Sequence, residues 1–228
     1  MQAVSSIYKK LLSNPNHKKE CKIEIGGYVF GMDSLIDLQT DGGLYRTPTI
    51  GNAFSRQIQV SLFPNNSIIP RMAEMKVYIR LTCDNESSEW IPKGVFYIDT
   101  RQIEKETGVL TIHGYDSMLK MEQTYISDGE DVTGWPKTMP VVMAEIAEKI
   151  DVELDDRNVL QDYLVEAPVG YTMREVSGWI AAAHAGNWTI TDAGKLRLVP
   201  LYSNILTLGY LVDESRNPIT FGGVKILV

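Results

Sequence analysis

Two cysteines in 228 residues, Cys21 and Cys83, are too few for a disulfide framework. They can form one bridge at most, and isolated buried thiols are the simpler reading in a cytoplasmically made chain. No C-x-x-C pair and no Cys/His cluster occurs, so a structural zinc has no ligand set. Histidines are equally scarce: His17, His113 and His184 are the only three. The chain lacks G-x-S-x-G, H-E-x-x-H, G-x-x-x-x-G-K-[ST] and G-x-G-x-x-G, and with them the usual local signs of hydrolase, zinc-protease and nucleotide chemistry. Positive charge is also short, with 22 Lys and Arg against 29 Asp and Glu, a net charge of −7 and a pI near 5.0. A nucleic-acid binder shows a basic stripe. Here the one dense basic spot, His17-Lys18-Lys19, is followed at once by Glu20. No stretch approaches the roughly 18 apolar residues of a membrane-spanning helix.

What remains is ordinary globular composition, 44% apolar and 22% charged, which excludes disordered and low-complexity classes. The length suits one large domain or two small ones. Met1–Ser13 reads as an amphipathic helix with Val4, Ile7, Tyr8, Leu11 and Leu12 near one face. It lacks the continuous apolar run and small-residue cleavage site of a signal peptide, so the chain reads as soluble and made inside a cell. Asn14-Pro15-Asn16 ends the helix.

From Cys21 to Gly114 the period changes to two. Lys22-Ile23-Glu24-Ile25 turns through Gly26-Gly27 into Tyr28-Val29-Phe30. A strand is predicted over Ser34–Gln39. Along Phe54–Phe63 the even positions Ile58, Val60 and Leu62 are apolar, with Arg56 the exception. Met75, Val77, Ile79 and Leu81 repeat the device, and Trp90–Thr100 and Val109–Gly114 complete some six strands, enough for a small barrel or sandwich.

The pattern shifts again near Tyr115. Asp116 caps a short helix through Met121, and Thr138 caps a helix to Ile150 with Val142, Ile146 and Ile150 on one stripe. Thr172 and Glu175 form a capping box opening a helix with Val176, Trp179, Ile180 and Ala183. Val142, Ile146 and Ile150 are expected to pack on Val176, Trp179 and Ile180 or on the following hairpin, which turns at Asp192-Ala193-Gly194. The last stretch returns to β-like runs, Ile205–Val212 and Pro218–Ile226. Its final run Val224–Val228 has no following partner, so the chain is expected to be a fragment of a longer protein.

Candidate chemistry is thin. The three histidines lie in a loop, on a strand and on a helix, with no nucleophile at fixed spacing. Asp128-Gly129-Glu130-Asp131 and Asp151–Asp156 are acidic, but neither matches a calcium-loop spacing. Solvated loops are the simpler reading. Trp90, Trp135, Trp179 and Trp188 suit core packing, with a sugar-stacking platform as the alternative. No catalytic, cofactor-binding or metal-binding residue is assigned, and no cofactor is expected.

Several segments carry a family resemblance: Gly51-Asn52-Ala53-Phe54-Ser55-Arg56-Gln57-Ile58, Ile69-Pro70-Arg71-Met72-Ala73, and Trp90-Ile91-Pro92-Lys93-Gly94-Val95-Phe96-Tyr97-Ile98-Asp99. So do Gly108–Leu119, Tyr171-Thr172-Met173-Arg174-Glu175 and Asp192-Ala193-Gly194-Lys195-Leu196-Arg197. In this order they resemble the N-terminal part of phage and prophage tail-tip hub proteins, over about residues 21–199. The resemblance implies an α+β chain: a small, tube-like antiparallel β-barrel, an α/β insertion and the start of a second β-domain. On it, 1–20 is an N-terminal helix and linker, 21–114 the barrel, 115–200 the insertion, and 201–228 strands beginning or returning to a barrel. It implies a structural, non-enzymatic baseplate hub module at the virion tail tip, assembled in the bacterial host cytoplasm. Implied partners are copies of itself, as a trimer in the intact protein, tail-tube or distal tail proteins, and DNA only in transit, with no membrane insertion. The alternatives are a peptidoglycan hydrolase using Asp128, Glu130, Asp155 and Asp156, or a carbohydrate-binding module.

Overall fold

A computed structural model describes residues 4–42, 49–65 and 67–201, together with the backbone at 220–221 and 224–225. The predicted runs at Ile205–Val212 and Val224–Val228 therefore lie largely outside the described residues. Of the final stretch, Thr220 and Phe221 pair antiparallel with Lys225 and Val224.

Helix α1 (Ser6–Leu12) opens the chain, with the Ser5 hydroxyl accepting from the Tyr8 N–H. Strands β1 (Lys18–Ile25), β2 (Tyr28–Phe30), β3 (Leu35–Asp41), β4 (Asn52–Ala53), β5 (Gln57–Leu62) and β6 (Glu74–Cys83) follow. Then come β7 (Glu86–Ser87), β8 (Ile91–Ile103) and β9 (Leu110–Tyr115). All but β4 form one antiparallel sheet in the order β2-β1-β6-β8-β9-β5-β3, with β7 beside β6. Alternation explains it. Ile58, Val60 and Leu62 point inward from β5, and Met75 and Val77 from β6, while the residues between them face out. Ile79 is only half-buried, a departure from the expected inward set, while Leu81 beyond it is buried again.

The inward residues share one core with Phe30 near one sheet edge and Leu35 and Leu38 near the other. Contact between residues from both edges requires the sheet to curl, and it forms a half-barrel. No ladder joins β2 to β3 among the described residues. Helix α1 lies against β6 and β7, where Leu11 is buried and Lys10 pairs with Glu86.

The second core belongs to the α/β part. Asp116 caps a 3₁₀ turn, Ser117–Glu122, through the Met118 N–H. Short strand β10 (Lys137–Thr138), helix α2 (Met139–Lys149), short strand β11 (Leu164–Val165) and helix α3 (Met173–Ala183) follow, with β10 and β11 paired. Strands β12 (Gly186–Ile190) and β13 (Leu196–Pro200) form the expected hairpin. Val142, Met143, Ile146, Val176, Ile180, Trp188 and Leu196 meet in this core. The third strand of the hairpin's sheet comes from far away: β4 pairs in parallel with β12. Residues 52–53, early in the chain, thus complete the sheet of the later segment.

Trp179 does not join that core. The buried stripe of α3 runs through Met173, Val176, Ser177, Ile180 and Ala181, the i, i+3, i+4, i+7, i+8 set. Position 179 is off that arc, and its ring is 49% exposed. The buried tryptophan is Trp188, whose indole N–H donates to the Ser177 carbonyl at 3.0 Å.

Candidate functional site

Several of the residues weighed for chemistry on sequence are held in local hydrogen bonds, and the others are exposed. His17 Nδ1 lies 2.6 Å from the Asn14 carbonyl. His113 is exposed on β9. His184 closes the end of α3, with Nδ1 at 2.7 Å from the Ile180 carbonyl and Nε2 accepting the Gln161 N–H at 2.9 Å. Both ring nitrogens are therefore in use.

The acidic loops behave as turns. Glu130 accepts the Ser127 N–H and Asp131 the Thr133 N–H, and these bonds lower both carboxyls below their ordinary range. Asp155 is buried and accepts from the Arg157 N–H, Nε and Nη2; Arg157 holds its carboxyl well below the usual carboxylate range. Asp128 and Asp156 are exposed. A general acid in a glycosidase needs a raised pKa, and Glu130 and Asp155 are shifted the other way. Among the described residues no group of three or more His, Cys, Asp or Glu is placed to hold a metal, and no helix is long and apolar enough to cross a membrane. Cys21 and Cys83 are free thiols, and Cys83 Sγ accepts from the Asn14 amide at 3.2 Å.

The constellation that stands out is the seam between the two cores. Asp116, almost completely buried, receives the Ser55 hydroxyl at 3.0 Å, the Arg56 N–H at 3.0 Å and the Met118 N–H at 3.1 Å. Burial pushes its carboxyl up to about 6, and those three bonds with the nearby Arg56 charge oppose the rise. Arg56 reaches across to the hairpin turn: Nη1 meets Asp192 at 2.8 Å and Nη2 the Lys93 carbonyl at 3.0 Å, while its guanidinium lies 5.5 Å from the Phe96 ring centre. Lys93 joins Asp192 from the other side at 3.2 Å. Arg174 ties α3 to the same seam through the Ala53 and Met118 carbonyls and Glu122. The seam fastens half-barrel to α/β part, and the hydrogen-bonding groups of Asp116 and the Arg56 guanidinium are taken up by these protein partners. Arg56 on an otherwise apolar strand face was the sequence's one sign of it.

Two other aromatic clusters lie on the surface. Trp90 is flanked by Arg80 at 4.5 Å and Lys22 at 5.3 Å. Trp179 meets Tyr171 edge-on, ring centres 4.8 Å apart, above an open groove of about 450 Å³ between α3 and β4.

Comparison with solved structures places this architecture. The 43 kDa tail protein of prophage MuSo2 from Shewanella oneidensis superposes with a TM-score of 0.54 at 12% identity, over 85% of this chain and 59% of that one. The tail protein of Neisseria meningitidis MC58 gives a TM-score of 0.48 at 14% identity, over 88% of this chain and 54% of that one. The chain thus spans 59% and 54% of the length of these two proteins. No family model and no curated protein matches it. The chain shares the fold of a prophage tail protein.

Proposed function

We propose that this chain is a structural module of a phage or prophage tail tip, a baseplate hub module that caps the tail tube and forms part of the DNA-delivery channel. The observation that carries the reading is the fold shared with the Shewanella prophage tail protein across 85% of the chain. Three features of the chain agree with it. Among the described residues β2 and β3 end the half-barrel's strand order, and the end strands of an open sheet can accept a strand from a neighbouring subunit. The seam at Arg56, Asp116 and Asp192 fastens the two parts together, as a load-transmitting component needs. The net charge of −7 suits a conduit for DNA, because like charge keeps the polyanion from adhering to the wall.

On this reading the chain has no catalytic task. Its partners are further copies of itself, trimeric in the intact protein, the tail tube or distal tail proteins, and DNA in transit. It resides at the virion tail tip after assembly in the host cytoplasm, without inserting into a membrane. The test is gold labelling of purified particles with antibody against this chain, together with counting its copies per virion by quantitative mass spectrometry. Label confined to the distal tail end, at three copies per particle, is the expected result. Particles that carry no label, or label on the head alone, overturn the reading.

A further inference from the structure

Trp179 and Tyr171 form an exposed aromatic pair that neither core uses. They are 49% and 47% exposed, and their ring planes meet at 75°. An edge-to-face contact of this kind favours one orientation of the indole. The groove beside the ring is bounded on its far wall by Asn52 and Phe54. Its volume of about 450 Å³ lies within the range of small-ligand clefts.

The polar groups around it discriminate between ligand classes. Arg174 has its fork engaged by Glu122, the Met118 carbonyl and the Ala53 carbonyl. An anion finds no uncommitted cation there. The same contact occupies the Ala53 carbonyl, which obstructs addition of a peptide strand to the outer edge of β4. Glu175 lines the same groove, with Oε2 taken by the Thr172 N–H and hydroxyl, and its negative charge disfavours an anion further. The other uncommitted groups are neutral. The Asn52 amide donates through Nδ2 to Thr49 and Ile50, leaving Oδ1 without a partner among the described residues. No described group accepts from the Trp179 indole N–H or bonds the Tyr171 hydroxyl. A fixed aromatic face beside neutral donors and an acceptor matches a ligand with an apolar C–H face and a rim of hydroxyls.

We infer that the groove beside Trp179 binds a neutral oligosaccharide, with the indole as stacking platform and Asn52 Oδ1 and the indole N–H as hydroxyl partners. The site does not depend on the tail reading, since a sugar-binding surface is equally possible on other architectures with this groove.

The probes are a β-1,4-linked N-acetylglucosamine hexamer and an α-1,4-linked glucose hexamer, each titrated into the whole chain by calorimetry. The expected result is saturable binding of at least one, with Kd at or below about 1 mM. Trp179→Ala should weaken it about tenfold or more. Trp179→Phe, which keeps a ring and the fold but loses the N–H, and Asn52→Ala should each fall between that variant and the wild type. Trp90→Phe, on a separate surface, should bind as the wild type does. No saturable binding of either hexamer up to about 10 mM overturns the proposal. So does wild-type affinity in folded Trp179→Ala and Trp179→Phe. If Trp179→Ala abolishes self-association in light scattering while neither sugar binds, the ring is a protein contact and the proposal fails.

Discussion

Gly178 on α3 lies so close to Gly51 that a β-carbon at 178 would stand 2.6 Å from the Gly51 carbonyl oxygen. The contact sets the distance between α3 and β4, and so seats an early piece of chain on a late helix. Alanine inside a helix ordinarily stabilises by about 1 kcal/mol over glycine. Here the sign reverses, because the neighbour is backbone and cannot rotate away. Gly178→Ala should lose about 1–3 kcal/mol, the range of overpacked sites. Urea titration measures it, and a variant as stable as the wild type would show that β4 shifts freely.

Asp116 gives the fold a pH dependence of known sign. Its folded-state value of about 6 lies above the ordinary 3.8, so the folded state binds the proton more tightly than the unfolded chain. The contribution is fullest below about pH 4 and is lost as pH rises through about 6, a change on the order of 2–3 kcal/mol. Asp116→Asn removes the titration and sets its amide against the Arg56 N–H, which lowers stability in its own right. The difference in urea midpoint between wild type and variant should change between about pH 4 and pH 6.5 and be flat above. Parallel profiles across that window would show that Asp116 does not titrate there.

The Arg56–Asp192 pair is a coupling across the seam. Both side chains are largely shielded from solvent, and Arg56 also holds the Lys93 carbonyl. A double-mutant cycle with Arg56→Met and Asp192→Asn should return a coupling of about 1 kcal/mol or more, above the usual exposed ion pair. Additive effects of the two substitutions would mean that the hairpin turn is held by packing alone.

The two tryptophans of the α3–β12 unit should behave oppositely. Trp188→Ala empties a fully enclosed site and removes the indole's bond to the Ser177 carbonyl, for a loss of about 3–5 kcal/mol. Trp179→Ala, on the open face, should change stability by less than about 1 kcal/mol. Equal losses at the two positions would place Trp179 in a packed environment that the structure does not give it.

Short-range physics was legible in the sequence. The Gly26-Gly27 turn, the alternation of Ile58, Val60 and Leu62, the Asp116 cap and the Thr172–Glu175 box each depend on residues within a few positions of one another. Even the outward placement of Trp179 was recoverable, since Met173, Val176, Ser177 and Ile180 already define the buried arc.

Pairings between distant segments had no such signal. The pairing of β1 with β6 and of β5 with β9, the union of β4 with β12, the salt link from Arg56 to Asp192 and the groove beside Trp179 all join residues far apart in sequence. Periodicity states which face of an element must be covered, and many other elements are chemically able to cover it. Only the packed chain, where backbone groups of β4 must find hydrogen bonds and the Arg56 charge must find a carboxylate, selects which one does.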